Sequence, residues 1–375
     1  MNDCVKPAIP PNAPYELNPP FRGAVYARIM AFHGDQSGSA LAGVLAAVCE
    51  NVTGLFAPDS RFFLPYLLTA FGLAYVAFRI NRARLPERRK TSFAAYIFDP
   101  TVYLNASSLV DLKVVIANRL FTPFLAAAGR AAIVLTATAV ATAMVGADAL
   151  TTSRPATDLS AFALIGVTLV IMLASDFTTY WVHRLHHENP VFWPFHKLHH
   201  SAETLTPLTF ARKHPVYDLF RALSNAVLLG PVQGVVFALF GVTDVMVILG
   251  VNAVYAVFHW TGSNLRHSHV WLSYGRFWSH IFISPAQHQI HHSCAPEHHD
   301  KNYGEVFALW DWLFGTLYTP DAYEELTFGV ADPQGRRLPQ AHPSLKEAWL
   351  VPFKESAKAL RDREAVRPAL TGRSH

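Results

Sequence analysis

Five nearly charge-free apolar runs alternate with polar stretches along the chain: Phe62 to Phe78, Ala131 to Ala147, Leu159 to Ser175, Ala222 to Thr243 and Val245 to Leu265. An α-helix needs roughly 20 apolar residues to cross a hydrocarbon core, so each run predicts a spanning helix. Pro231 interrupts the fourth, which predicts either a kinked span or two half-depth helices. A shorter run, Ser39 to Cys49, stops at Glu50 and reads as a re-entrant or interfacial element.

Composition agrees with this pattern. Hydrophobic residues make up 51% of the 375 and charged residues only 15%, against about 25% charged in ordinary soluble domains. The predicted fold is all-α, an integral membrane helical bundle. Directly after the first run come Arg79, Arg82, Arg84, Arg88, Arg89 and Lys90, opposed only by Glu87. The positive-inside rule makes that loop cytoplasmic. Counting crossings from it brings residues 183–200 out on the cytoplasmic side. A hairpin of the fourth and fifth runs then delivers residues 288–292 to the same side. The net charge of +4 requires no nucleic-acid partner.

Sixteen of the 19 histidines lie between His183 and His299, and eight form spaced groups: His183/His187, His196/His199/His200 and His288/His291/His292. Residues three and four apart share a helix face, so each group can converge on one point. Local sequence predicts helices there. Ser284, Pro285 and Gln287 form a capping box that opens into His288. Pro194 opens the helix of His196, and Pro190 closes that of His183 and His187. Neutral imidazole is the commonest protein ligand for zinc, copper, iron and nickel, so the groups predict a metal centre of more than one ion.

Several familiar arrangements are excluded. His187-Glu188 continues into Asn189-Pro190, so the H-E-x-x-H of zinc proteases is missing, and no Glu from 150 to 320 precedes a histidine by three. Eight donors exceed what a single zinc accepts; two ions with four to five imidazoles each fit better. A paired redox metal reached from an apolar phase suits O2 activation for attack on an unactivated C–H bond. A membrane zinc-dependent hydrolase remains as an alternative, though no box holds an adjacent glutamate base. A non-catalytic metal-binding or transport protein is a further one, though a transporter would place polar ligands inside its spans.

The segments from Asp176 to His187, Phe195 to Ser201 and Pro285 to Ser293 resemble the fatty acid hydroxylase / sterol desaturase superfamily of membrane histidine-box oxygenases. Lys301 to Gly304, Trp310 to Thr316 and the link ending Arg212-Lys213-His214-Pro215 are similar to it as well. The resemblance covers about residues 100 to 320. It implies a helical cap facing the cytosol, two iron ions (zinc as an alternative), O2 as oxidant and a lipid substrate such as a sterol, fatty acyl chain or alkyl ether. Hydroxylation and desaturation are both open. No haem- or flavin-binding segment is evident, so electrons are expected from a separate ferredoxin- or cytochrome-type donor.

Carried onto this chain, the resemblance implies the ligands His183, His187, His196, His199, His200, His288, His291 and His292, with His259 as a ninth. Where some relatives have a further histidine, Ser263 stands, which leaves His267, His269 and His280 as candidates for a tenth. Asp176 and Tyr180 share a helical stripe with His183 and His187, and are expected to hydrogen-bond behind a ligand and fix its tautomer. His214, Asp300 and Asp311 are further candidates for that role.

The expected organisation is an N-terminal tail (1–37), a membrane region with its basic loop (38–122), a catalytic membrane domain (123–320) and a cytoplasmic tail (321–375), helical around Ser344 to Arg363. The proline-rich start carries no signal-peptide pattern. Cys4, Cys49 and Cys294 have no paired spacing and predict no disulfide framework.

Overall fold

The computed structural model describes residues 56–58, 60–147, 159–241, 247–248 and 251–371. The Ser39 to Cys49 run, Cys4 and Cys49 lie outside the described residues. Four helices are long and apolar enough to cross a membrane: α1 (Leu64–Asn81), then, after the short helices α2 (Phe93–Ile97), α3 (Pro100–Tyr103) and α4 (Ala106–Asn118), α5 (Thr122–Val145), α6 (Ala161–Glu188) and, beyond α7 (Trp193–His200), α8 (Pro215–Phe240). Large apolar side chains stay exposed on all four, among them Leu68, Leu135, Val170 and Val227. A water-soluble surface does not carry patches of this extent; the chain is an integral membrane protein.

Small residues set the closest helix pairing. On α8, Gly230 and Gly234 stand four apart against Thr136 and Val140 of α5, and a Cβ at Gly234 would lie 2.9 Å from the Val140 Cβ. Small residues at this spacing let backbones approach within a membrane. Thr136 Oγ1 uses the approach to donate to the Ala226 carbonyl at 2.6 Å. Pro231 sits between the two glycines inside one continuous helix, so the fourth run is a single span and not two half-helices.

The fifth run corrects the expectation of a hairpin of two spans. Among the described residues, Val245 to Leu265 contains a two-residue antiparallel pair, β1 (Val247–Ile248) with β2 (Val251–Asn252), then the eight-residue α9 (Ala253–Trp260) and a 3-10 turn, Ser263–His267. Asn252 accepts from the Val254 N–H and caps α9, and Gly262, at φ 98°, ends it. A left-handed residue there suits glycine alone. The return toward the third histidine group is therefore made by a short helix packed on α6, not by a full crossing.

The remaining helices are α10 (Gly275–Trp278), α11 (Pro285–His291), α12 (Leu309–Leu313) and α13 (Leu345–Thr371). Helix α13 is docked: Ala348, Leu345 and Trp349 pack on Leu198 of α7 and Val110 and Val114 of α4, and Lys197 pairs with Glu355 at 2.7 Å. The segment expected as a tail thus buttresses a histidine helix. Cys294 is buried and free, donating to the Gly329 carbonyl.

Candidate metal centre

The expected helix signals operate at each histidine box. Ser284 and Gln287 form the reciprocal capping box of α11, Pro194 lies in the first turn of α7, and α6 stops at Glu188 just before Pro190. Each helix turns an apolar face to the core and histidines the other way. On α11, Ala286 and Ile290 pack against Trp271 while His288 and His291 face the site. On α7, Leu198 is the core residue.

The imidazoles gather into two adjacent groups. His183, His187, His196, His200 and His291 form one; His199, His267, His288 and His292 form the other; within each, the donor nitrogens lie within 4.8 Å of one another. The two H-x-x-H-H boxes are divided in opposite ways. Helix α7 gives its i,i+4 pair His196/His200 to the first group and His199 to the second, whereas α11 gives His288/His292 to the second and His291 to the first.

The spacings fit cations. Nε2 of His196 lies 2.9 Å from that of His183 and 3.2 Å from that of His200, and Nε2 of His267 lies 3.2 and 3.0 Å from those of His199 and His288. Two imidazoles about 2.0–2.1 Å from one cation and at right angles have nitrogens about 3 Å apart. Nε2 of His187, His291 and His292 is buried with no hydrogen-bond partner, a costly state unless an ion satisfies it. Burial first, with neighbouring imidazoles and cations adding to it, holds His196, His199, His200, His267, His288 and His292 well below the usual histidine range and His291 at about 4. They are neutral, the form that binds metal.

Backbone carbonyls orient two of the rings. His183 Nδ1 lies 2.6 Å from the Tyr303 carbonyl and His291 Nδ1 2.8 Å from that of Lys301. A proton on Nδ1 leaves the Nε2 lone pair directed at the site. Both carbonyls come from one strained strap: Asp300 and Asn302 each have φ 58°, outside the range most side chains tolerate. Asn302 fixes the strap by donating to the Gln287 carbonyl and accepting from the Tyr318 N–H. Asp311 accepts from the N–H groups of Tyr303 and Gly304 and from Thr316 Oγ1. At Gly304 any Cβ would lie 2.9 Å from Asp311 Oδ2. His288 differs: its Nδ1 lies 2.7 Å from Nη2 of Arg266 and not against a backbone carbonyl.

His259 corrects the expected set. Its ring belongs to neither group; Nδ1 lies 2.7 Å from Ser263 Oγ and the ring packs on Tyr66. His267, one of the three candidates for a further ligand, is brought into the second group by the 3-10 turn. His269 instead bonds the Tyr96 carbonyl and His280 its own Arg276 carbonyl.

The residues expected to hydrogen-bond behind the ligands bond elsewhere. Asp176 accepts from the N–H groups of Val306 and Phe307 and from Trp310 Nε1, so it anchors the strand after the strap rather than an imidazole. Tyr180 meets Thr316 and Arg184, and His214 caps α8 through the Val216 N–H. Asp300 accepts from the Tyr303 hydroxyl. Asp311 and Asp300 therefore act one residue removed, through Tyr303.

Arg212, in the link after the second box, is fully buried against Asp111 at 2.9 Å. It also donates to the Leu198 carbonyl and to Ser201 Oγ, tying the end of α7 to α4.

Two cavities open on the histidine groups, and a third is lined by none of these histidines. One of about 340 Å³ reaches His187, His200 and His291 from the side of Glu188 and Asp300. Another, of about 220 Å³, reaches His183, His196, His199, His267 and His288 from the side of Thr179 and Arg221. A third, about 660 Å³ and almost wholly apolar, lies between α6 and α9, walled by Leu169, Val257, Phe258 and Phe307.

The fatty acid hydroxylase family model matches residues 168–316. An ornithine lipid hydroxylase of Rhizobium tropici is 30% identical over 165 residues, 42% of this chain and 44% of its own length. The alkylglycerol monooxygenase of Homo sapiens is 29% identical over 161 residues, 43% of this chain and 32% of its own. A Delta(7)-sterol 5(6)-desaturase of Aspergillus fumigatus is 30% identical over 176 residues, 42% and 50%. The chain spans half or less of these relatives. No solved structure matches. The matched residues 168–316 hold all nine expected histidines and all nine that the structure gathers, so both histidine groups lie within the segment similar to the fatty acid hydroxylase family.

Proposed function

We propose that the chain is a membrane-bound oxygenase that oxidises a C–H bond of a lipid, with two iron ions held by the five- and four-histidine groups. The observation that carries this reading is the pairing of two all-imidazole groups around one seam, since borderline nitrogen donors suit iron and zinc alike and a single ion would leave half of them idle. Iron bound there would supply the redox chemistry with O2 and electrons from a separate donor.

The chain's own residues perform the rest. Neutral imidazoles present their lone pairs, and the Tyr303 and Lys301 carbonyls hold two of the rings in the binding tautomer. The apolar cavity between α6 and α9 would take the hydrocarbon part of a substrate arriving sideways from the bilayer, because such a surface gains free energy by covering methylenes. Its Phe258 and Val306 walls adjoin Arg266 and Glu305 beside the histidines.

The active site is assigned to the cytoplasmic side. The basic loop after α1 lies at the same end as the histidines: Asn81 donates to the Trp271 carbonyl, and Tyr96 to that of His269, two residues past His267. Positive loops face the cytoplasm.

The test compares lipid extracts of cells producing the full chain or His291→Ala by mass spectrometry. The expected result is a lipid that has gained oxygen or lost two hydrogens, absent with the variant. Unchanged lipids and a zinc-filled protein would overturn the oxygenase in favour of a hydrolase.

A further inference from the structure

The cavity of about 220 Å³ that opens on both histidine groups is strongly cationic. Arg61, Lys213, Arg221 and Arg266 line it, against the single carboxylate of Glu305. Glu305 is already engaged, with Oε1 on Arg61 at 3.3 Å and Oε2 accepting from the Tyr255 hydroxyl at 3.5 Å. Asp218, a helical turn before Arg221, adds a second negative charge nearby without lining the space. Four cations still exceed two anions. Lys213 pairs with no carboxylate among the described residues; its ammonium sits over the Tyr217 ring, 5.7 Å from its centre. Nε of Arg221 and of Arg266 is buried without a hydrogen-bond partner. Clustered cations with unspent donors in a water-poor space favour an anion with several acceptor oxygens.

We propose that this cavity binds the carboxylate or phosphate of an acidic amphiphile, placing the oxidised carbon within a few bonds of that group. The position of oxidation rests on the oxygenase reading above; the anion site does not. Size sets the limit: at roughly 30 Å³ per water in the liquid, the space admits an acidic head and only a few methylenes beside His183, His196 and His199.

The experiment measures equilibrium binding of palmitate, hexadecyl phosphate, 1-hexadecanol and inorganic phosphate to the metal-loaded full chain in detergent, alongside Lys213→Met, Arg221→Met and the conservative Lys213→Arg. One charge-assisted hydrogen bond changes affinity by about ten-fold or more. Palmitate or hexadecyl phosphate should therefore bind at least about ten-fold more tightly than the alcohol. That preference should vanish in both methionine variants and persist in Lys213→Arg, with alcohol binding unchanged throughout. Equal binding of acid and alcohol, or a preference that survives both methionine variants, overturns the proposal. Inorganic phosphate competing as well as hexadecyl phosphate would overturn the amphiphile in favour of a free anion. A protein that oxidises lipid yet shows no acid preference refutes this inference alone, and one with the preference but no oxidation refutes the oxygenase alone.

Discussion

The rings of His200 and His292 lie 4.4 Å apart and 21° from parallel, although their nitrogens serve different groups. This stack is the seam of the centre: one ring comes from the end of α7, the other from the C-cap of α11. Two cations held on either side of it would be close neighbours, as a shared oxidation requires.

Replacement of His267 should separate the observed set from the one expected by family resemblance. His267→Ala removes one of only four donors and should cost about one ion per chain, since a site with three imidazoles keeps an open, weaker position. His259→Ala removes a ring bonded to Ser263 and should leave metal content intact. Elemental analysis of the purified variants checks both, and the reverse pattern would restore His259 to the centre.

Arg212 and Asp111, each without solvent exposure, should be worth more broken than intact. Arg212→Met strands the Asp111 carboxylate, which Thr206 and Thr209 alone then satisfy, at a cost of about 3–5 kcal/mol. Thermal unfolding in detergent should show a clear drop, partly recovered in Arg212→Met/Asp111→Leu. An unchanged unfolding temperature would mean that the pair does not hold α7 in place.

Acid should destabilise the metal-free protein through its buried histidines. Burial holds His291 and His269 at about 4 and His342, beside Arg212, at about 3, below the ordinary histidine value of 6.5. Between these values the unfolded chain binds protons that the folded chain refuses, so stability is complete above about 6.5 and falls as pH drops toward 4. Unfolding temperatures of the metal-free protein at pH 7.5 and pH 5 should differ in that direction. His342→Gln, outside both groups, should flatten the slope.

The sequence made the helical boxes legible because their signals are local. Ser284 with Gln287, Pro194 and Pro190 each mark a helix end within a few residues, and i,i+3 and i,i+4 spacing places histidines on a face. Hydrophobic run length found four spans for the same reason. It erred on Val245 to Leu265, where apolar character reflects burial beside α6 and the lipid rather than one continuous helix; Asn252 and Gly262 divide the run. His267 could not be singled out from His269 and His280 because a 3-10 turn after a left-handed glycine has no helical register. The carbonyls of Lys301 and Tyr303 were hidden because a main-chain atom leaves no trace in residue type. Asp176 lay on the right stripe but one end too deep: its height on α6 matches Val306 and Phe307, not the imidazoles.

The most direct test of the central claim is metal stoichiometry of the full chain purified from membranes without exposure to chelators. Two iron ions per chain are expected in the intact protein, with His187→Ala/His291→Ala and His292→Ala each keeping about one, because each leaves a different group with three donors. A single ion in the intact protein, or a loss of metal in only one of the two variants, would contradict it.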